Sequence, residues 1–353
     1  MGYLNDSRNK FLDITRGITV FLMILGHCIQ NGNGKIFLEK QLFWDDYFFK
    51  FIYSFHMPLF ALISGYFLNL STNKYELKVG ILKKINYLFP PIVIFGVYRY
   101  FLSRCLIIKD DIIFKFVDLI FTILKGYWFL WSILYFSIII FIVKYIFNDS
   151  IKIYVALFLI LFIIPNEIHT VKTSTILFLY PFILVGYFFS KYQKQIIKKI
   201  ESKQNQLLFI LGVFFCLQLF FFKKESYIYI SGLDIIKTKL NISLRHQFFI
   251  DVFRLNIGLT GSCFILLILY KIYKLTKSIK VWNIFIDLGQ NSLKIYCVQE
   301  LVIVYWLVPF TINYQKNYKT NLLESIIVIL LCLFINRILS KFKMLSRIHF
   351  GIR

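Results

Sequence analysis

Residues 11–27 read FLDITRGITVFLMILGH, an apolar stretch that carries an aspartate, an arginine and a histidine. A run this hydrophobic reads as a membrane helix, where ionisable side chains are costly and usually functional. At 1.5 Å per residue, Arg16 and His27 stand about 16 Å apart along the axis, and at ~100° per residue eleven steps return His27 to within about 20° of Arg16. Asp13 falls on the same stripe, near one turn below Arg16. One helix face therefore carries a carboxylate and a guanidinium near one membrane surface and an imidazole about half a bilayer deeper. This pattern suits a site that holds an anionic group at the surface and moves protons in the interior.

The rest of the chain supports a membrane reading. Mean hydropathy is +0.69 and apolar residues make up 58%, values foreign to a soluble domain of this length. Many of the 41 Phe and 23 Tyr lie where spans meet the surface, as interface anchors do. The formal charge of +23 is not a nucleic-acid signature, because the lysines cluster in short loops between apolar runs. That pattern sets topology and meets anionic headgroups. The six cysteines, at 28, 105, 216, 263, 297 and 332, show no CxxC spacing, so neither a disulfide framework nor a metal site is expected. The segment Leu25-Gly26-His27-Cys28 falls short of a lipoprotein cleavage box because His27 stands where a small residue is needed. The first apolar run is expected to be a retained span.

The fold expected is all-α, a polytopic helical bundle of about ten spans: 14–31, 47–70, 85–104, 128–147, 151–165, 174–190, 207–222, 254–274, 288–310 and 322–340. Segment 112–124 is apolar but short and reads as an interfacial or re-entrant piece. With both termini cytoplasmic, the clusters Lys191, Lys194, Lys198, Lys199, Lys203 and Lys271, Lys274, Lys277, Lys280 fall inside. The acidic residues Glu39, Asp45, Asp46, Asp110 and Asp111 then face out. No loop is long enough for an appended soluble domain, so residues 1–353 are expected to form one membrane-embedded domain with its chemistry in the bundle or at its mouths.

Several other polar positions interrupt the apolar runs. In Phe55-His56-Met57-Pro58-Leu59-Phe60, Pro58 should kink the helix and free a carbonyl near His56. Ser64-Gly65 permits close helix approach. Lys83-Lys84, running into Pro90-Pro91, either grips phosphates or anchors the span by its charge. Trp128 opens the fourth span within an aromatic cluster that an interface belt also explains. Tyr180-Pro181 and Gly186-Tyr187 mark a kinked, closely packed sixth span. The segment Gly289-Gln290-Asn291-Ser292 leads to Gln299 and Glu300. Glu300 is an intramembrane carboxylate whose rival reading is a structural pair with Lys294 or Arg337.

Taken together these segments resemble the acyltransferase-3 family of integral membrane acyltransferases, which decorate polysaccharides and other glycans. The matching residues are Leu12-Asp13-Ile14-Thr15-Arg16-Gly17 with Gly26-His27, then Phe55 to Phe60 with Ser64-Gly65-Tyr66. Trp128-Phe129-Leu130, Pro181-Phe182 with Gly186-Tyr187, and Gly289 to Leu293 with Ile295-Tyr296 follow in the family's order. The resemblance implies about ten spans with cytoplasmic termini. It also implies transfer of an acyl group, usually acetyl, from cytosolic coenzyme A to a sugar hydroxyl. His27 matches the family's essential histidine and Arg16 the arginine paired with it. Two departures stand out. The basic stretch before the proline pair is rich in Arg in relatives and here holds Lys83 and Lys84. Where relatives often carry a second histidine after the Ile-Tyr of span nine, this chain has Gln299.

The resulting expectation is an O-acyltransferase of a bacterial plasma membrane. Its co-substrate is acetyl-CoA, with no permanently bound cofactor, and its acceptor is a polysaccharide or lipid-linked glycan. The catalytic residues are His27, Arg16 and Asp13. Lys83, Lys84, His56, Glu300, Gln299 and Trp128 serve substrate or co-substrate binding. Neutral His27 would act as general base on the acceptor hydroxyl, with an acetyl-histidine intermediate as the rival route. A transporter or flippase whose polar residues line a permeation path, or a polymerase built around the 223–253 loop with Arg245 and His246, are the alternatives.

Overall fold

The Asn9 side chain opens the first helix by accepting a hydrogen bond from the Leu12 N–H at 3.3 Å, which satisfies one of the donors a helix start leaves orphaned. In the computed structural model, which describes residues 9–105, 112–163, 173–233, 243–311, 313 and 317–351, the chain is helical and contains no strand among those residues. The helices of ten residues or more there are α1 Lys10–Gly32, α2 Tyr47–Lys74, α3 Leu77–Tyr100, α4 Ile112–Lys125, α5 Trp128–Ile146 and α6 Ile151–Ile163. After these come α7 Tyr180–Ser202, α8 Gln204–Phe220, α9 Leu244–Leu275, α10 Val281–Gln290, α11 Ser292–Val302 and α12 Tyr318–Lys341.

Eight described stretches are long and apolar enough to cross a membrane: Lys10–Asn31, Tyr47–Lys74, Leu77–Ser103, Trp128–Ile146, Thr173–Ser202, Leu244–Leu275, Ser292–Thr311 and Tyr318–Lys341. Each occupies one of the ten expected windows. The fifth and seventh windows hold the shorter apolar helices Ile151–Leu161 and Gln204–Phe220. Helix α4 has 14 residues and is not among these eight stretches. Asp110, Asp111 and the side chain of Cys105 lie outside the described residues.

Two boundaries differ from the sequence reading. The ninth span starts at Ser292 rather than 288, because the helix breaks at Asn291, whose N–H caps α10 through the Asp287 carbonyl. The eighth begins at Leu244, ten residues before the expected 254. Part of the supposed 223–253 loop is therefore helix, held by polar residues turned inward. Arg254, Asp251 and Gln247 are all buried.

The chain divides into two compact units. Unit 1 comprises Met1–Ile63, Lys194–Lys224 and Asn256–Asn336. At its centre α1 crosses α10 with backbones in contact. A Cβ on Gly17 would lie 2.0 Å from the Phe285 carbonyl oxygen, and one on Gly289 would lie 1.9 Å from that of Asp13. Each glycine thus opens the space that the other helix's carbonyl fills. At one end of this unit the Phe11 ring meets Tyr270 and Tyr273. There Tyr270 also donates to Glu201 at 2.8 Å and Lys271 to Asn205 at 2.8 Å. The start of α1 therefore shares an end with the basic segments around 199–203 and 271–274. At the other end Asn321 donates to Asn33 and Tyr318 to Asp46.

Unit 2 comprises Ser64–Gln193, Glu225–Leu255 and Arg337–Arg353. Gly65 packs on the Ile183 carbonyl, 1.9 Å from where its Cβ would stand, as Ser64-Gly65 led one to expect. Asn69 donates to Ser190 and Tyr66 to Gln193 alongside. The sixth span is broken at Leu179, two residues before Pro181, into Thr173–Phe178 and α7. Pro181 has no N–H to give to the Leu177 carbonyl, so a helical hydrogen bond across the break is missing.

Candidate active site

Unit 1 holds Asp13, Arg16, His27, His56, Gln299 and Glu300; unit 2 holds Lys83, Lys84 and Trp128. On α1, the Arg16 guanidinium donates to Asp13 at 2.8 Å, with the carboxylate only 3% exposed and the guanidinium 26%. The i,i+3 spacing puts the two on one face, and Gly289 presses on the Asp13 backbone from α10. The pair is thereby tied to a rigid helix crossing rather than to a loose surface turn.

His27 sits three turns further along α1, half-buried. Tyr53 of α2 brings its hydroxyl to 3.2 Å from Nδ1 of the imidazole and 3.5 Å from Oε1 of Gln30. The Tyr53 ring stacks on Phe49 at 3.8 Å and stands edge-on to His27 at 89°. It crosses so close to α1 that a Cβ on Gly26 would meet its Cε2 at 2.7 Å.

His56, one turn on from Tyr53 along α2 with ring centroids 4.7 Å apart, is buried and bonds the Ile52 carbonyl through Nδ1 at 2.8 Å. That carbonyl belongs to the preceding turn and is not the Ser54 carbonyl that Pro58 leaves without an N–H. Since a carbonyl only accepts, Nδ1 of His56 carries the proton. Tyr53 therefore lies between the two histidines. Helix α11 packs against α1 and carries Gln299, which is buried with no hydrogen-bond partner for its Oε1 among the described residues, and the half-buried Glu300.

In unit 2, Lys83 and Trp128 stand at opposite ends. Lys83 lies near the start of α3, its Nζ 3.6 Å from the centre of the Tyr75 ring. The nearby Lys83 ammonium, ahead of the field of Lys74, holds that phenol below the usual tyrosine range. Tyr145 of α5 donates to the Tyr75 carbonyl at 2.6 Å, and Lys144 donates to Thr72 at 3.1 Å and to Asn73. Trp128 opens α5, seventeen residues before Tyr145 and therefore about 25 Å away along the axis, and meets Tyr229 edge-on at 6.0 Å. Lys83 and Trp128 therefore do not share a pocket in this unit.

Three features were missed in the sequence. Tyr53 and Gln30 carry no motif, and their only signal is helical spacing from His56 and His27. Arg254 is 2% exposed. It donates to the carbonyls of Ser226 at 3.1 Å and Tyr227 at 3.1 Å, to the Ser231 hydroxyl at 2.6 Å and to Asp251 at 2.8 Å. It thereby clamps the 225–232 turn onto α9. The spacing of Gln247, Asp251 and Arg254 on one helix face was the available clue.

Residues 9–340 match a family described as an acyltransferase domain. The chain belongs to this acyltransferase family. The resemblance drawn from its motifs holds along nearly the whole length, and the transporter and polymerase readings give way to a multi-pass membrane acyltransferase. Among characterised proteins, the acyltransferase is similar to nodulation protein NolL of Mesorhizobium japonicum, 27% identical over 304 residues that cover 84% of this chain and 77% of that protein. It is also similar to NolL of Sinorhizobium fredii, 43% identical over 61 residues, 17% of this chain and 16% of that one. No solved structure matches it.

Proposed function

We propose that this acyltransferase takes acetyl from cytosolic acetyl-CoA and places it on a hydroxyl of a cell-surface or exported polysaccharide, in the plasma membrane of a bacterium. The observation that carries the proposal is the pairing on α1 of an Asp13-braced Arg16 with a half-buried, hydrogen-bonded His27. An anion-holding group and a proton acceptor about 16 Å apart on one face fit a phosphate-bearing donor with a long flexible arm. Arg16 holds the phosphates. The pantetheine arm follows the α1 face and brings the thioester to His27. The imidazole takes the proton of the acceptor hydroxyl as its oxygen attacks the thioester carbonyl. The C–S bond then breaks, and the departing thiolate takes the proton back from His27, leaving acetyl ester and free coenzyme A.

The test uses the full-length protein in detergent, acetyl-CoA, and surface polysaccharide of the source cells stripped of esters by mild alkali. Polysaccharide-dependent release of coenzyme A thiol, absent with His27→Ala, supports the reading. Thiol release equal with and without the polysaccharide, or unaffected by His27→Ala, overturns it.

A further inference from the structure

We propose that Tyr53 and Gln30 are positioning residues that lock His27 in the tautomer with its proton on Nδ1, leaving Nε2 to take the acceptor's proton. The inference rests on the assignment of His27 as the base.

Tyr53 has one hydroxyl proton, and its oxygen lies 3.2 Å from Nδ1 of His27 and 3.5 Å from Oε1 of Gln30. An amide oxygen only accepts, and the Tyr53 hydroxyl donates to that of Gln30. The phenol oxygen then presents a lone pair to Nδ1, which must donate. The order is Nδ1–H to Oη, then Oη–H to Oε1. Such a chain in an apolar bundle is polarised along its length and resists reversal. The aromatic frame fixes its middle member. Tyr53 is stacked on Phe49 and laid across Gly26, where no side chain stands in its way. The role resembles that of the carboxylate in a serine-protease triad, which orients the imidazole and sets its tautomer without itself reacting. When Nε2 accepts the acceptor's proton, Nδ1–H stays bonded to Tyr53. When the coenzyme A thiolate takes the proton back, the chain is already in its starting state.

Other ionisable groups on elements packed against α1 include His56 and Lys50 on α2, Asp46 just before it, Asp287 on α10, and Lys294, Tyr296, Cys297 and Glu300 on α11. The π-helical turn Ile303–Leu307 adds Tyr305, α12 adds Tyr318, Lys319, Glu324, Cys332, Arg337 and Lys341, and α9 reaches α1 at Phe11 with Tyr270 and Tyr273. Arg16 and Asp13 lie on α1 itself. Substitutions at Tyr53 and Gln30 leave all of these in place.

The experiment measures kcat, KM for acetyl-CoA and the pH profile in the thiol-release assay. Tyr53→Phe keeps the ring and removes the hydroxyl; kcat is expected to fall about 10- to 100-fold with KM unchanged. Gln30→Met is expected to fall about 10-fold, and the double variant no further than Tyr53→Phe alone, because both break one chain. Gln30→Glu keeps an acceptor and adds a negative charge. It should retain turnover while the acid limb of the profile moves up by about 1 pH unit, a change that a packing role would not produce. Unchanged kcat in Tyr53→Phe, or a Gln30→Glu profile identical to wild type, overturns the proposal even where His27→Ala is dead. Activity in His27→Ala overturns the underlying assignment instead. Should Tyr53→Phe fail to fold, the Gln30→Glu profile decides alone.

Discussion

Gly289→Ala tests the helix crossing that carries the Asp13–Arg16 pair. The added Cβ would stand 1.9 Å from the Asp13 carbonyl oxygen and 2.7 Å from its carbon, where real Cβ atoms keep at least 3.0 Å. The obstacle is backbone, so no rotamer change relieves it, and α10 must withdraw from α1 by more than 1 Å. Withdrawal on that scale forfeits a quarter to a half of the contact attraction along the crossing, and overpacking of this kind costs about 1–3 kcal/mol. The Asp13 turn moves with it, and a misplacement of about 1 Å in a positioning group can lower turnover roughly 100-fold. The assay is transfer rate per folded molecule, with folding followed by a thermal melt monitored by gel filtration. Gly212→Ala is the control, since its Cβ would meet only the tip of the Phe264 ring, at 2.8 Å, which can swing aside. A Gly289→Ala protein with wild-type melt and wild-type rate would refute the argument.

The remaining predictions concern smaller groups. Asp13→Ala removes the carboxylate that holds Arg16 and is expected to cost about 1–3 kcal/mol and to raise KM for acetyl-CoA, read from the melt and from initial rates. Gly26→Ala pushes the Tyr53 ring edge off α1. Because that edge can tilt, stability should stay near wild type while kcat falls about 10-fold; a normal rate would show that the Tyr53 position is irrelevant. Tyr75 should ionise earlier than ordinary tyrosines because Lys83 stabilises its phenolate, and Lys83→Met should return it to the usual range in an NMR titration of ring-labelled tyrosine.

How much of this was legible in the sequence depended on whether hydrophobicity or polarity carried the signal. The spans were readable because membrane burial demands long apolar runs, and a helix lies in every expected window. The junction at Asn291 was not readable, because Gly289-Gln290-Asn291-Ser292 lies between two apolar helices and hydropathy bridges the gap. The early start of α9 was hidden for the opposite reason. Gln247, Asp251 and Arg254 look like loop residues until their partners, the 225–232 carbonyls, are seen. Of the site, Asp13, Arg16 and His27 announced themselves as ionisable groups at helical spacing. Tyr53 and Gln30 did not, since a tyrosine and a glutamine in an aromatic-rich chain carry no contrast. Only the closeness that Gly26 allows between α1 and α2 gives them a role. Lys83 and Trp128, grouped as binding residues from motif order, turn out to lie at opposite ends of their unit.

The most direct test of the central claim is proton NMR of surface polysaccharide from cells lacking the gene and complemented with wild type or His27→Ala. The account predicts O-acetyl signals with wild type and none in the deletion or with His27→Ala at equal membrane abundance. Full O-acetylation in the deletion, or with His27→Ala, would contradict it.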